Sequence, residues 1–365
     1  MANIGFIISG NGGNSQYYSP NVKPFVDLSI GLASIEGKAV LFVDQSERHL
    51  DEKINSITKD QVRIIYYCPS NMEKIISENS VDFLIVDDNI KLMKHVLRFK
   101  KKSYKIAVFV QYLYGVNTNK RDKRRNSLKL RLGSNLPWKF LIWKYKRLIV
   151  NFDYIFANSQ TCGYILRQFY DVLPSGTVYP PVGVDMRPIL DHIVLPTEKN
   201  GILIFAGNIV NDHFSRNLTY ELNNLKDEIG EPVKLFVSNP ETAKTFTREG
   251  VIVYSNLKVE ELTRLYLESK ITYVPTTYEL FGYVGAESIL CGTRVIVDVY
   301  HPFLESVPME TNAAKIAHSN RKISEIFLQS INEKADIETA QKAISNLYSA
   351  EASARSLLRA LELFN

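Results

Sequence analysis

The 365-residue chain is poor in the residues that build metal centres and disulfide frameworks. Its three cysteines, Cys68, Cys162 and Cys291, lie far apart, without the paired spacing of a zinc site or a redox couple. The six histidines are scattered and no Asp-x-Asp occurs, so no metal and no cofactor are expected. Apolar runs such as Phe83-Leu84-Ile85-Val86 stop far short of the roughly 18 residues of a spanning helix. Residues 1–10 contain neither a basic stretch nor a long apolar run, so no secretory signal is expected, and the reading is intracellular. Repeats of 20–50 residues and low-complexity tracts are also lacking. At this length one hydrophobic core does not suffice, and two domains are expected.

Acids are scarcest where bases are densest. Residues 91–150 contain 18 Lys and Arg against one acid, Asp122, a local balance of +17. The whole chain is only +5, so the other 305 residues carry −12. Charges so concentrated call for an anionic partner: phospholipid headgroups, a pyrophosphate-bearing acceptor or nucleic acid. Within this region Asn119–Arg131 (NKRDKRRNSLKLR) centres on Lys123, Arg124 and Arg125, and Leu136–Val150 interleaves Trp138, Phe140, Trp143 and Tyr145 with four cations. Amphipathic aromatics beside bases suit contact with an anionic membrane surface. No nucleic-acid motif accompanies the charge, so no nucleic acid is expected.

What is abundant is short, near-continuous apolar segments. Ile4–Ser9, Ala39–Asp44, Val62–Tyr67, Phe83–Asp87, Ile106–Gln111 and Tyr154–Asn158 read as buried parallel strands, several ending in Asp, Asn or Ser. Open α/β sheets bind ligands at such carboxyl ends. A Pro-rich stretch over 178–200 follows, and then the pattern restarts with Gly201–Gly207, Val233–Ser238, Val251–Tyr254, Ile271–Pro275 and Arg294–Asp298. Helical patterns such as Val259–Ser269 fill the gaps, and the chain reads as helical from Ser324 onward. The expected organisation is α/β: residues 1–182 as one βαβ domain, 183–200 as linker, 201–344 as a second, with a helix over about 345–365 returning to the first.

The segment Val274–Val297 (VPTTYELFGYVGAESILCGTRVIV) concentrates the chemistry. A strand ends at Pro275, Gly282 opens a helix, and Cys291-Gly292-Thr293 closes it. Glu279 precedes the helix, and the N–H groups of Phe281, Gly282, Tyr283 and Val284 lie at its positive end, a ready phosphate site. Glu287, inside the helix, can accept hydrogen bonds from vicinal hydroxyls such as those of a ribose. After the first strand, Gly10-Asn11-Gly12-Gly13 allows backbone to approach a ligand closely.

These residues resemble the retaining glycosyltransferase family 4 of the GT-B fold. That family carries two glutamates with seven residues between them, here Glu279 and Glu287, the first in a Glu-x-Phe-Gly context. The match continues through Glu287-Ser288-Ile289-Leu290-Cys291-Gly292-Thr293-Arg294-Val295-Ile296, with Arg294 where the family has Pro. Val259-Glu260-Glu261-Leu262, Tyr273-Val274-Pro275-Thr276, Asn158-Ser159 and Val178–Asp185 fit the same pattern, so the resemblance runs from about residue 150 to 300, with support from the first 20. It implies two Rossmann-like βαβ domains facing across a cleft. It implies that Glu287 binds the donor ribose, Glu279 contacts the transferred sugar, and the amides of Phe281, Gly282 and Tyr283 hold sugar hydroxyls and diphosphate. Gly12 and Gly13 approach the diphosphate from the other domain. Two positions depart from the family: Asn208 follows Gly207 where Arg is usual, leaving Arg216 as the cation for the diphosphate, and Gln111 and Tyr112 stand where a His is often found, on the acceptor side.

The expected function is transfer of a sugar from a UDP-, GDP- or ADP-sugar to an acceptor hydroxyl with retention, without metal. The acceptor is expected to be a glycan or lipid-linked, and the location cytoplasmic with peripheral contact at the inner membrane face. Two alternatives stand beside it: a nucleotide-sugar epimerase or hydrolase on the same fold, and a non-catalytic sugar-nucleotide or membrane-binding protein.

Overall fold

The computed structural model describes residues 2–9, 22–50, 61–98, 103–111, 113, 138–192, 198–207, 222, 225, 227–246, 250–275, 279, 281–317 and 322–362. The chain divides into two compact units, Met1–Pro181 together with Tyr348–Asn365, and Val182–Leu347.

In the first unit β1 (Asn3–Ile8), β2 (Lys38–Asp44), β3 (Arg63–Tyr67), β4 (Phe83–Asp87), β5 (Lys105–Val110), β6 (Tyr154–Ala157) and β7 (Gly176–Thr177) form a seven-stranded sheet in the order β3-β2-β1-β4-β5-β6-β7. The second unit repeats the scheme with β8 (Ile202–Gly207), β9 (Val233–Val237), β10 (Val251–Tyr254), β11 (Ile271–Val274), β12 (Arg294–Val297) and β13 (Ala314–Ile316), ordered β10-β9-β8-β11-β12-β13. Every neighbouring pair is parallel. The apolar runs predict this, because a parallel strand is covered on both faces: Ile4, Phe6, Ile7 and Ile8 of β1 are all buried, as is every residue of β12. In both sheets the order reverses next to the first strand, between β1 and β4 and between β8 and β11. Such a switch point opens a crevice at the carboxyl ends of the strands.

The helices of the first unit are α1 (Lys23–Ser34), α2 (Met72–Glu78), α3 (Ile90–Arg98), α4 (Trp138–Ile149) and α5 (Gln160–Tyr170). Those of the second are α6 (Arg187–Leu190), α7 (Pro240–Lys244), α8 (Val259–Glu268), α9 (Tyr283–Leu290), α10 (Ile323–Asn332) and α11 (Ile337–Tyr348), and α12 (Ala350–Ala360) belongs again to the first. Ser349 caps α12 by accepting from the Ala352 N–H at 3.2 Å. Its start lies against Gly31 of α1, where a Cβ would stand 2.0 Å from the Ala350 carbonyl oxygen, so only glycine admits this approach. Ala354, Leu357 and Leu361 then join Phe6, Phe25, Phe109 and Phe156 in one core. In the Pro-rich stretch, residues 182–192 count with the second unit: Met186 is buried in its core, and α6 begins with a proline in its first turn.

Candidate functional site

The site in the second unit is built on the strand beside the switch point. β11 leads through Pro275 toward α9, and Gly282 opens that helix at φ 94°, ψ 55°, a backbone that side-chain-bearing residues rarely adopt. A Cβ there would lie 2.8 Å from Nδ1 of His301 and 2.9 Å from the Phe303 ring. A Cβ added to Gly285, one turn on, would run into the same phenyl ring. The backbone N–H of Phe303 donates to the Phe281 carbonyl at 2.9 Å, so the His301–Phe303 segment cushions the helix start. The first intrahelical donors, Gly285 and Ala286, both bond the Gly282 carbonyl. The N–H groups of Tyr283 and Val284 therefore lie ahead of them, at the positive end of the helix.

Glu279 is partly exposed on the loop before this start, whereas Glu287, one turn inside, is 8% exposed. Burial, and then the charge of Glu287, raise the Cys291 thiol far above its usual range, so Cys291 is a packed thiol and no nucleophile. Gly292, at φ 73°, ends α9, with the Thr293 N–H returning to the Ser288 carbonyl at 2.9 Å. Lys199 then ties the carboxyl ends of α8 and α9 together. Its Nζ donates to the carbonyls of Leu267 (2.7 Å) and Cys291 (3.2 Å) and to Oγ1 of Thr293 (2.7 Å), and burial lowers its pKa to about 8. Arg294 reaches across to the Glu333 carbonyl at the end of α10, at 2.9 Å. No sequence signal distinguishes Lys199 or the His301–Phe303 cushion, because both act through contacts distant in the chain.

The first unit presents polar groups at its own switch point. Asp87 ends β4, and its carboxylate accepts from the Asn89 N–H at 3.1 Å and from Ser9, just past β1, at 3.5 Å. Asp88 beside it accepts from the Tyr145 hydroxyl at 3.0 Å. Burial, and then the charge of Asp88, raise the pKa of Asp87 to about 7. Gln111 follows β5, two residues beyond Phe109, the register partner of Asp87, and its Nε2 is buried without a hydrogen-bond partner among the described residues. The strand-end aspartate is visible in the sequence, but its proton affinity is not, since that depends on what packs around it.

In the first unit, α4 buries Ile142, Tyr145 and Ile149 and exposes Phe140 (42%) and Trp143 (49%). These two rings stack at 5.6 Å, and the Arg147 guanidinium lies 4.8 Å from the Trp143 ring. Among the described residues no helix is long and apolar enough to cross a membrane. Gly12, Gly13, Tyr112, Lys123, Arg124, Arg125, Asn208 and Arg216 lie outside the described residues.

No family model matches the chain, and no curated protein matches it in sequence. Solved structures do match over its length. A glycosyltransferase from Rickettsia africae ESF-5 is 12% identical, with 99% of this chain and 98% of that one covered and a TM-score of 0.65. Anabaena HepE in complex with UDP and glucose is 12% identical, covering 99% and 100%, with a TM-score of 0.66. The UDP-GlcNAc 2-epimerase from Neisseria meningitidis bound to UDP-GlcNAc is also 12% identical, covering 99% and 100%, with a TM-score of 0.59. At these identities the likeness establishes the fold: two Rossmann-like α/β domains of the GT-B class.

Proposed function

We propose that this protein is a retaining glycosyltransferase that moves a sugar from a nucleotide-sugar donor to an acceptor hydroxyl. The observation that carries the reading is the helix start at Gly282, with Glu279 ahead of it and a buried Glu287 one turn inside. In this reading Glu287 takes the ribose hydroxyls, Glu279 takes the transferred sugar, and the amides of Phe281–Val284 receive the diphosphate. We assign Arg216 and Asn208, with Gly12 and Gly13, to donor binding as well. The bond from the anomeric carbon to the diphosphate oxygen breaks with its electron pair left on the phosphate. The acceptor oxygen bonds to that carbon on the same face, and its proton passes to the departing diphosphate. Helix dipole and Arg216 stabilise that charge without a metal. Uridine is the first base to test, because HepE and the epimerase are structures with UDP and UDP-GlcNAc bound. The acceptor, a glycan or lipid-linked sugar, belongs to the first unit near Gln111 and Tyr112.

One observation favours a second reading, a nucleotide-sugar epimerase or hydrolase. Asp87 holds a proton to about pH 7 and so is suited to acid–base work at neutrality. Incubation with UDP-GlcNAc or UDP-glucose separates the two. The transferase reading expects donor to persist without acceptor and to yield product only when a glycan or lipid-linked acceptor is added. Donor consumption without acceptor, abolished by Asp87→Asn, would replace it with the second.

A further inference from the structure

Asp298 stands one residue past β12, on the carboxyl edge of the second sheet from which α9 also sets out. Val274 of β11 and Val297 of β12 are the last pair in register. Beyond that pair one segment runs through Pro275 to Glu279 and the start of α9, and the other through Asp298 to His301 and Phe303. The two meet again where the Phe303 N–H donates to the Phe281 carbonyl at 2.9 Å, and where His301 leaves no room for a side chain on Gly282. Neighbouring strands lie ~4.8 Å apart, so Asp298 stands beside Pro275, at the root of both segments that shape the helix start. Its carboxylate is half-buried, and among the described residues no Lys or Arg pairs with it. Its one hydrogen bond comes from the Tyr273 hydroxyl to Oδ1 at 2.6 Å. That phenol is buried and fixed edge-on to Phe327 of α10, with ring centroids 5.3 Å apart, so Oδ1 is held and Oδ2 is left to accept. An asparagine would satisfy the phenol equally well without bringing a charge out of water, so packing does not account for the charge. A half-buried carboxylate without a counter-ion, at the carboxyl edge of an α/β sheet, is a group kept for a ligand.

We propose that Asp298 is a specificity-determining residue of the donor site: Oδ2 accepts from hydroxyls of the transferred sugar, and the charge excludes sugars that carry a carboxylate of their own. With Glu279 assigned to the same sugar, two carboxylates are set against it. The class of sugar this admits is a neutral hexose or N-acetylhexosamine, whose hydroxyls donate, and not a uronic acid, whose charge is repelled. The Tyr273 hydroxyl keeps the carboxylate in one orientation and so makes the discrimination a property of a fixed group. This inference rests on the reading of α9 as a nucleotide-sugar site.

Calorimetry with UDP, a neutral UDP-sugar and UDP-glucuronate tests this in the wild type, Asp298→Asn and Tyr273→Phe, with thermal unfolding run on each. UDP-glucose or UDP-GlcNAc, whichever the wild type binds more tightly, serves as the neutral sugar, and GDP or ADP and their sugars are used if uridine is not the base. Wild type is expected to hold the neutral sugar nucleotide roughly tenfold or more above UDP-glucuronate. Asp298→Asn presents an N–H donor where the wild type accepts. It is expected to lose roughly five- to tenfold in affinity for the neutral sugar nucleotide, to gain for UDP-glucuronate, and to bind UDP as the wild type does. Tyr273→Phe keeps the carboxylate but releases Oδ1, and is expected to show a smaller loss for the same ligand with UDP again level. Equal weakening of UDP and the neutral sugar nucleotide, or an unchanged ratio between the two sugars in Asp298→Asn, would overturn the proposal, since a merely structural defect does not single out the sugar. If the wild type binds none of the nucleotides, or Glu287→Ala leaves the affinity for UDP intact, the nucleotide-site reading itself fails and Asp298 falls with it.

Discussion

His301 lies wholly buried beneath the start of α9, edge-on to Phe303 with ring centroids 6.0 Å apart. Burial lowers its pKa to about 4, so the imidazole is neutral at pH 7. In the unfolded chain a histidine takes its proton near pH 6.5. Between pH 6.5 and about 4 the unfolded state therefore binds more protons than the folded one. The stability from neutral His301 is complete above pH 6.5 and is lost as the pH falls through that window, by up to about 3 kcal/mol. Asp87 works in the opposite direction: folded it keeps its proton up to about pH 7, so acidification below that favours the native state. The two effects oppose each other in the wild type, and a single substitution separates them. His301→Gln should lose at least about 1 kcal/mol less stability than wild type between pH 7 and 4.5, read from urea midpoints. Parallel curves for the two proteins would contradict the assignment.

At the scale of elements, α9 depends on one backbone conformation. Gly282→Ala places a Cβ against His301 and Phe303 in a left-handed residue, and should cost about 2–4 kcal/mol and abolish nucleotide binding. Unchanged stability by chemical denaturation would show that the helix start tolerates a side chain. This element was legible in the sequence, because Gly282, Glu287 and Gly292 mark its opening, its buried acid and its close within eleven residues. The strands were legible for the same local reason, each long run being covered on both faces. β7 and β13 were not, since strands of two and three residues, none of them fully buried, leave no apolar run at the sheet margins. The Lys199 clamp and the Phe303 cushion were not legible either. They join residues distant in the chain, and no periodicity records such a meeting.

For the whole molecule, the dominant asymmetry is charge: +17 over residues 91–150 against −12 elsewhere. Within that region α4 turns a stacked Phe140–Trp143 pair and Arg147 to the outside. The basic aromatic stretch was legible in composition; which of its aromatics face outward was settled by the packing of Tyr145 against Tyr170. We propose that this face and the Lys123–Arg125 cluster adhere to anionic membrane. Flotation should find salt-sensitive binding to phosphatidylglycerol vesicles and none to phosphatidylcholine. Replacing Lys123, Arg124 and Arg125 with Gln should weaken binding by about 1 kcal/mol per charge. Equal flotation before and after would remove the membrane role while leaving the donor site untouched.

That donor site is the central claim, and calorimetric titration with UDP-, GDP- and ADP-sugars, without added metal, tests it most directly. The account predicts that one nucleotide class binds the wild type and that Glu287→Ala weakens it by roughly tenfold or more. Absence of binding by all three, or equal affinity in the variant, would contradict it.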